Sequence, residues 1–331
     1  MKYTIIFTAL FSFQSCFGQQ IALNSQYIFN TMLINPGATG MKDHIPIQIN
    51  FRKQWTNFPG SPTTQFLSCE SKVDENFGVG GLFFNDVGGP SRRTGLNVNA
   101  SYKLQLDSRR EHIMSFGLGL SLTQHIMDMS VLTTYLPDDP AVLRGYNNQM
   151  VPDANFGVLY THKKNFYLGL SSYNLSQSKR DLYSFNTKLF NPLVRNYYLT
   201  SGYRFKLGDS WGLRASALIQ AIETGTTQFD LSSIVEYNEA YWLGASYRFN
   251  DAVIIIFGAQ IGPLKFGYSY DFTLSDIGQY SSGSHEIFLE FQIAKNGSNK
   301  KQVPWLINET NKKQVPWLRR NRIYTRRNKI N

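Results

Sequence analysis

The chain of 331 residues is 15% aromatic but only 17% charged, whereas soluble globular domains are nearer one quarter charged. Its mean hydropathy is −0.29, and beyond the N-terminus the longest apolar run, 252–257, is far shorter than the ~18–20 residues of a membrane-spanning helix. These values exclude a helical membrane protein and leave open a membrane β-barrel, whose strands alternate apolar and polar residues.

Residues 1–18 have the pattern of a secretory signal peptide. Lys2 precedes an apolar region over 5–13, and Cys16-Phe17-Gly18 resembles a cleavage site. A mature chain beginning at Gln19 keeps only Cys69, so no intramolecular disulfide is expected. Acylation of Cys16, as in a lipoprotein, is the alternative, although the residues before it lack the leucine that such a site normally has.

Residues 19–46 are predicted to form a periplasmic or plug segment. Over 25–40 apolar residues mix with turn formers, and the candidate plug residues are Tyr27, Phe29, Asn35 and Pro36. Since a barrel of about eight strands is already filled by its own side chains, a wider one has room for such a segment in its periplasmic mouth. A plain N-terminal linker is the alternative.

Residues 47–294 are dominated by a period of two, which is typical of β-strands. The clearest case is 113–124, where small or polar residues alternate with bulky apolar ones. In an outer-membrane barrel the apolar side faces lipid, and in a soluble sandwich it forms a core. The fold class predicted is all-β, a transmembrane antiparallel β-barrel of about 14 strands. The predicted strands are 47–55, 63–71, 77–85, 95–104, 113–124, 153–161, 166–174, 197–205, 211–220, 226–235, 241–249, 253–261, 264–272 and 285–293.

The connections between these strands favour the barrel. The long ones, 125–152, 175–196 and 273–284, all fall on one side, whereas turns such as 162–165 are short. Long extracellular loops and short periplasmic turns are typical of outer-membrane barrels. The prediction is therefore a multi-pass protein of the outer membrane of a diderm bacterium, with both termini periplasmic.

Residues 295–331 are predicted to form a basic periplasmic tail. They hold eleven of the 33 Lys and Arg residues but one of the 23 acids, so the tail carries the whole net charge of +10. A sequence of eight residues beginning at Asn299 recurs at Asn311, twelve residues on. Its tryptophans, each behind Val-Pro, are candidate partner-binding residues, and the flanking basic residues suit an acidic protein, peptidoglycan or anionic lipid. The candidates are Trp305, Trp317, Lys300, Lys301, Lys312, Lys313, Arg319 and Arg320. A nonspecific solvated tail is the alternative, and the compartment argues against nucleic acid.

The sequence offers no clear catalytic, metal or cofactor site. Its five histidines are scattered, and CxxC, HExxH and G-x-S-x-G motifs are missing. Glycines at 78–81 and 117–119 lie within strand patterns, where they allow tight curvature. Ser284-His285-Glu286 is the one local hint of a hydrolase, and Asp138-Asp139 could bind Ca²⁺. We expect neither enzymatic activity nor a cofactor.

Several blocks resemble the PorP/SprF family of outer-membrane proteins, which is associated with the type IX secretion system and gliding motility. The resemblance runs over about 25–293, and its most specific blocks are Arg52-Lys53-Gln54-Trp55 and 281–287. The family pattern Asn-Pro-Ala-Tyr-Ala-Gly reads Asn-Pro-Gly-Ala-Thr-Gly at 35–40, and the basic tail is a second departure.

The resemblance implies a non-enzymatic barrel that partners a secreted surface adhesin or similar substrate bearing a C-terminal targeting domain. Such a barrel assists secretion and anchoring at the cell surface, and its tail would meet a periplasmic component of the secretion or motility machinery. Loops 125–152, 175–196 and 273–284 are the expected cargo contacts. The alternative function is an outer-membrane channel for small or hydrophobic solutes. The sequence does not specify the cargo or the stoichiometry.

Overall fold

The structure, a computed structural model, describes residues 24–128, 146–163, 165–176, 194–223 and 225–294. Fourteen antiparallel strands pair in sequence order, and the last pairs with the first to close a barrel. The strands are β1 (His44–Lys53), β2 (Thr63–Lys72), β3 (Phe77–Gly88), β4 (Ser91–Gln105), β5 (His112–Asp128), β6 (Tyr146–His162), β7 (Phe166–Tyr173), β8 (Asn196–Lys206), β9 (Trp211–Ile222), β10 (Thr227–Tyr237), β11 (Tyr241–Arg248), β12 (Ala252–Ile261), β13 (Leu264–Thr273) and β14 (Ser284–Ala294). The predicted fold is confirmed, including the number of strands. No helix within the described ranges is long and apolar enough to cross a membrane.

The closing seam is continuous. It runs from His44 opposite Ala294 to Lys53 opposite His285, so every position of β1 has a partner on β14. Closure therefore leaves no unpaired strand edge along this seam. A membrane barrel needs such closure because lipid cannot hydrogen-bond a free backbone N–H or C=O group.

The apolar side of the sheet is its outer surface. On β5, Leu118 and Leu120 are 64% and 71% exposed, while Ser115, Gly117 and Gly119, at alternate positions, are buried inside. Large apolar side chains on the other strands follow the same rule, among them Leu67, Phe83, Leu96, Leu168, Leu170, Leu199, Leu243, Phe257 and Phe291. A surface of this kind is solvated by lipid, with the small and polar residues facing the lumen.

The two ends of the barrel differ in their connections. Turns such as 73–76, 163–165 and 262–263 are short and lie at the end where β1 begins. The opposite end carries the connections 54–62, 129–145, 174–195 and 274–283. By the usual asymmetry of these barrels the long connections are extracellular, so β1 rises from the periplasmic end to the extracellular end.

Strands β3 to β6 extend further toward the extracellular end than the sequence predicts. β5 continues to Asp128 and β6 begins at Tyr146, so strand replaces both ends of the predicted loop 125–152. Outward polar side chains pair across these extensions: the Gln124 amide donates to Asn148 at 3.0 Å. The apolar alternation stops because the strands rise beyond the lipid, and the sequence prediction therefore ended them too early.

Candidate functional site: a plugged lumen

Residues 24–43, here called the plug segment, occupy the lumen. Two short 3₁₀ turns, Thr31–Leu33 and Pro36–Ala38, are its only regular structure within the described residues. Residues 24–30 and 34–40 are buried throughout. The segment runs the height of the barrel, from the extracellular half at Ser25 to the periplasmic end, where β1 begins. It therefore reaches further than the periplasmic mouth.

A cluster of buried charges holds the extracellular end of the plug segment. Arg52 lies 2.7 Å from Asp271 and 3.1 Å from Glu286, and Arg248 lies 3.1 Å from Asp230 and 3.3 Å from Asp271. All five side chains are at most 2% exposed. Buried charges are tolerated when they are paired and hydrogen-bonded, and the plug segment supplies several of the remaining bonds.

Ser25 makes most of these remaining bonds. Its backbone N–H donates to Glu286 at 2.8 Å, and its hydroxyl lies 3.1 Å from either oxygen of Asp271. The same hydroxyl accepts from Arg52 at 2.9 Å and from Arg248 at 3.3 Å. The backbone N–H of Gln26 donates to the second oxygen of Glu286 at 3.0 Å. Strands distant in the chain thus converge on one dipeptide.

An aromatic cluster fixes the middle of the plug segment. The ring of Phe29 lies 5.1 Å from that of Trp242 and 5.8 Å from that of Phe288, measured between centroids. The ammonium of Lys265 lies 4.2 Å from the Phe29 centroid, a cation–π contact worth up to ~2 kcal/mol when desolvated.

The Asn35-Pro36-Gly37 turn packs directly against the barrel wall. Asn35 caps the turn by accepting the N–H of Gly37 at 2.8 Å, and its amide donates to the carbonyl of Val158 at 3.0 Å. Glycines on the wall leave the space it needs: a Cβ on Gly117 would overlap the backbone of Pro36, and one on Gly157 would overlap the Asn35 side chain. These glycines give room for the turn as well as curvature.

The periplasmic end of the plug segment is anchored by a second set of polar contacts. The Gly40 N–H donates to Glu70 at 2.7 Å, and Lys103 donates to the Gly40 carbonyl. Gly40 has a φ of +67°, and a Cβ there would lie 2.7 Å from the Cα of Gly78, so no other residue fits without strain. Lys42 forms an ion pair with Glu290 at 3.3 Å. The plug segment is therefore held along its whole length.

Above the plug segment the lumen contains a cavity, here called the vestibule. Its volume, measured as the space open to the centre of a water molecule, is about 120 Å³. Tyr27, Leu33 and Ile34 line its floor, and its wall is formed by inward side chains on the extracellular halves of β2 to β10. Phe66 and Phe84 give that wall an apolar area, beside amides such as those described below.

The structure places the predicted plug residues inside the barrel: Tyr27, Phe29, Asn35 and Pro36 are all buried in the lumen. The tail candidates, residues 300–320, lie outside the described residues, as do Asp138 and Asp139. So do most of loops 125–152 and 175–196; of the three expected cargo loops, only 273–284 is described throughout.

The suggested hydrolase group does not assemble. Ser284 and Glu286 point into the lumen, whereas His285 between them points outward and bonds the Tyr268 hydroxyl at 2.6 Å. Alternation along a strand separates the three side chains. Within the described ranges no group of three or more His, Cys, Asp and Glu residues could hold a metal ion.

Sequence reasoning missed the residues that seat the plug segment. Arg52, Arg248, Asp230, Asp271 and Glu286 are charged residues at inward positions of strands. The sequence does show charged residues at inward positions near the extracellular ends of five strands. That pattern does not show which of these residues form ion pairs with one another.

Comparisons with solved structures find outer-membrane barrels. A Pseudomonas aeruginosa FadL homologue is 11% identical with a TM-score of 0.46, covering 84% of this chain and 95% of that one. The Ralstonia pickettii toluene transporter TbuX is 8% identical with a TM-score of 0.46, covering 80% and 93%. Omp33 of Acinetobacter baumannii is 9% identical with a TM-score of 0.44, covering 77% and 100%. Likenesses this weak carry no information about ligands.

No curated protein matches the chain in sequence. A family model does: the model described as "Type IX secretion system membrane protein PorP/SprF" matches residues 16–291. This match covers the plug segment and nearly the whole barrel, and it confirms the resemblance seen in the sequence. The chain belongs to the PorP/SprF family of type IX secretion system outer-membrane proteins.

Proposed function

We propose that this barrel partners a type IX secretion substrate, a surface adhesin or similar protein with a C-terminal targeting domain. In this proposal the barrel assists secretion of the substrate and then anchors it at the cell surface. Where the substrate is a motility adhesin, the same anchoring serves gliding. The protein contributes binding surfaces and no catalysis.

The observation that carries the proposal is the plugged lumen. The plug segment is buried and bonded at its extracellular end through Ser25, at its centre through Phe29 and at its periplasmic end through Gly40. Removing it would leave the buried charges of Arg52 and Glu286 without these bonds, at a cost of several kcal/mol. A lumen occupied in this way suits a protein that holds a partner at its extracellular end.

The alternative, a channel for small or hydrophobic solutes, requires an open lumen or a movable plug. Single-channel recording in planar bilayers separates the two. We expect the purified protein to give no large steady current, whereas a persistent open level would favour the channel.

The direct test of the proposed function is a pull-down in a mild detergent from membranes of cells that make the protein. We expect one secreted protein with a C-terminal targeting domain to co-purify in a fixed ratio. A matched preparation from cells whose type IX secretion is blocked should lack it. Recovery of the barrel with lipid alone would contradict the proposal.

The basic tail is proposed to bind on the periplasmic side. Tryptophans 305 and 317 each follow Val-Pro within the repeat, and lysines and arginines surround them. An aromatic side chain in a groove with flanking positive charge suits an acidic surface of the secretion or motility machinery, or anionic lipid. This is a proposal from the sequence alone.

A further inference from the structure

We propose that the vestibule is a receptor site for an uncharged peptide segment of the secreted partner, which inserts from the extracellular end. This inference rests on the proposed function and goes further by naming the place on the barrel where the partner is held and the chemistry of what enters it.

The first argument concerns what lies beneath the vestibule. Its floor is the plug segment, which is fixed at its extracellular end by Glu286 and at its periplasmic end by Glu70. A molecule that enters from outside meets Tyr27, Leu33 and Ile34 of the plug segment. The cavity therefore suits binding better than passage.

The second argument is that three residues lining the vestibule carry buried polar atoms that lack partners among the described residues. They are Asn97 Oδ1, Asn155 Nδ2 and His125 Nε2, on side chains of residues 7%, 1% and 5% exposed. The Asn155 amide is oriented by its oxygen, which accepts the N–H of Asn174 at 3.2 Å, so its nitrogen is left as a donor. A buried donor or acceptor without a partner costs about 1–3 kcal/mol, so the site is incomplete as it stands.

A peptide supplies what these atoms need. Each residue of a chain other than proline offers one N–H and one C=O on its backbone. The free acceptor on Asn97 and the free donor on Asn155 match that pair, while the apolar wall at Phe66 and Phe84 can take aliphatic or aromatic side chains. Backbone bonds with pockets for side chains are a general mode of peptide recognition.

The charges of the vestibule indicate an uncharged segment. Arg93 is paired with Asp86 at 2.5 Å, and Asp230 is paired with Arg248 at 3.1 Å. No lining carboxylate or guanidinium of the described wall is therefore offered to a charged ligand without first breaking an ion pair. Size sets a further condition: a folded domain of ~100 residues has a radius of gyration of ~13 Å, so only a loop or terminus can enter.

Site-specific photo-crosslinking tests the proposal in membranes of cells that make the protein. The photoreactive amino acid p-benzoylphenylalanine replaces Phe66 or Phe84, which are opposite each other on β2 and β3 and face the vestibule. In the control proteins it replaces Leu67 or Phe83, the next residues along, which are also opposite each other but face lipid. Adducts are digested and sequenced by mass spectrometry.

We expect both vestibule positions to yield adducts with one contiguous segment of the same secreted protein, which carries a C-terminal targeting domain, and the lipid-facing positions to yield none. Asn97→Leu, which removes the acceptor at similar size, should lower the adduct yield at Phe84 by about tenfold, the effect of losing one hydrogen bond of ~1.4 kcal/mol. The barrel of that variant should remain heat-modifiable in gels.

Three outcomes would overturn the proposal. If the partner co-purifies with the wild-type barrel but crosslinks at neither Phe66 nor Phe84, the vestibule is not the site and the proposed function stands. If small-molecule adducts alone form, the vestibule takes a solute. If no secreted protein co-purifies or crosslinks at any position, the proposed function fails as well.

Discussion

Asn35 of the plug segment occupies the space that a side chain on Gly157 of β6 would need. Its Oδ1 accepts the Gly37 N–H and its Nδ2 donates to the carbonyl of Val158, next to Gly157 in the chain. The wall and the plug segment are therefore complementary in shape at this point, and a single methyl group on the wall should disturb the fit.

Gly117→Ala should displace the turn of the plug segment, because the new Cβ would overlap the backbone of Pro36. We expect measurable current in planar bilayers, where the wild-type protein gives little. Gly81→Ala is the matched control, since a Cβ there meets nothing nearer than 3.9 Å. Equal currents from the two variants would show that the turn does not close the lumen.

Glu286→Gln should loosen the extracellular end of the plug segment. The variant leaves Arg52 with one carboxylate partner and weakens the acceptor of the Ser25 and Gln26 N–H groups. Breaking a buried ion pair of this kind should lower the free energy of unfolding by about 3 kcal/mol. Denaturant titration of the barrel in vesicles measures the change.

The control for that experiment is Glu75→Gln in a periplasmic turn, where the carboxylate forms exposed ion pairs with Lys72 and Arg110. Exposed pairs contribute little, so its titration should overlay the wild type. A loss of stability as large as that of Glu286→Gln would mean that the buried cluster has no special part in holding the plug segment.

Leu120→Lys places a charge at mid-height on the lipid-facing surface. Such a charge costs about 2–4 kcal/mol near the bilayer midplane, and we expect that loss in vesicle-based unfolding. Leu106→Lys is the comparison: Leu106 is 54% exposed but lies in the periplasmic turn 106–111, so the same substitution should change stability little. Similar effects at both positions would contradict the proposed placement of the bilayer.

Deletion of residues 299–331 should leave a heat-modifiable barrel and weaken the recovery of periplasmic partners in pull-downs. The double variant Trp305→Ala, Trp317→Ala keeps every positive charge of the tail. If it loses partners as the deletion does, the tryptophans carry the binding; if only the deletion does, charge carries it. Unchanged partners in both would show that the tail is not a docking element.

The barrel could be predicted from the sequence because the residues of membrane strands alternate with a period of two, and the lipid-facing residues of each strand are bulky and apolar. The predicted strand 113–124 corresponds to all of β5 except its first residue and its last four, and the number of strands follows from the same rule. The extracellular ends of β5 and β6 could not be predicted. Beyond the bilayer both faces of a strand contact water, and polar pairs such as Gln124 with Asn148 replace the apolar alternation.

The plug segment could be predicted only in part. Its mixture of apolar residues and turn formers indicates burial, but a segment bonded mostly through side chains has no period from which its path could be read. The meeting of Arg52 with Asp271 joins positions 219 apart in the sequence. Only the closed register of the barrel brings them together.

Strand β14 both contacts the plug segment and closes the barrel. Its inward residues Glu286, Phe288 and Glu290 contact Ser25, Phe29 and Lys42 in turn, from one end of the plug segment to the other. The same strand completes the cylinder by pairing with β1. A chain that lacks residues 284–294 could therefore neither close its barrel nor make the contacts on one side of the plug segment. Closure of the barrel and binding of the plug segment thus depend on the same strand.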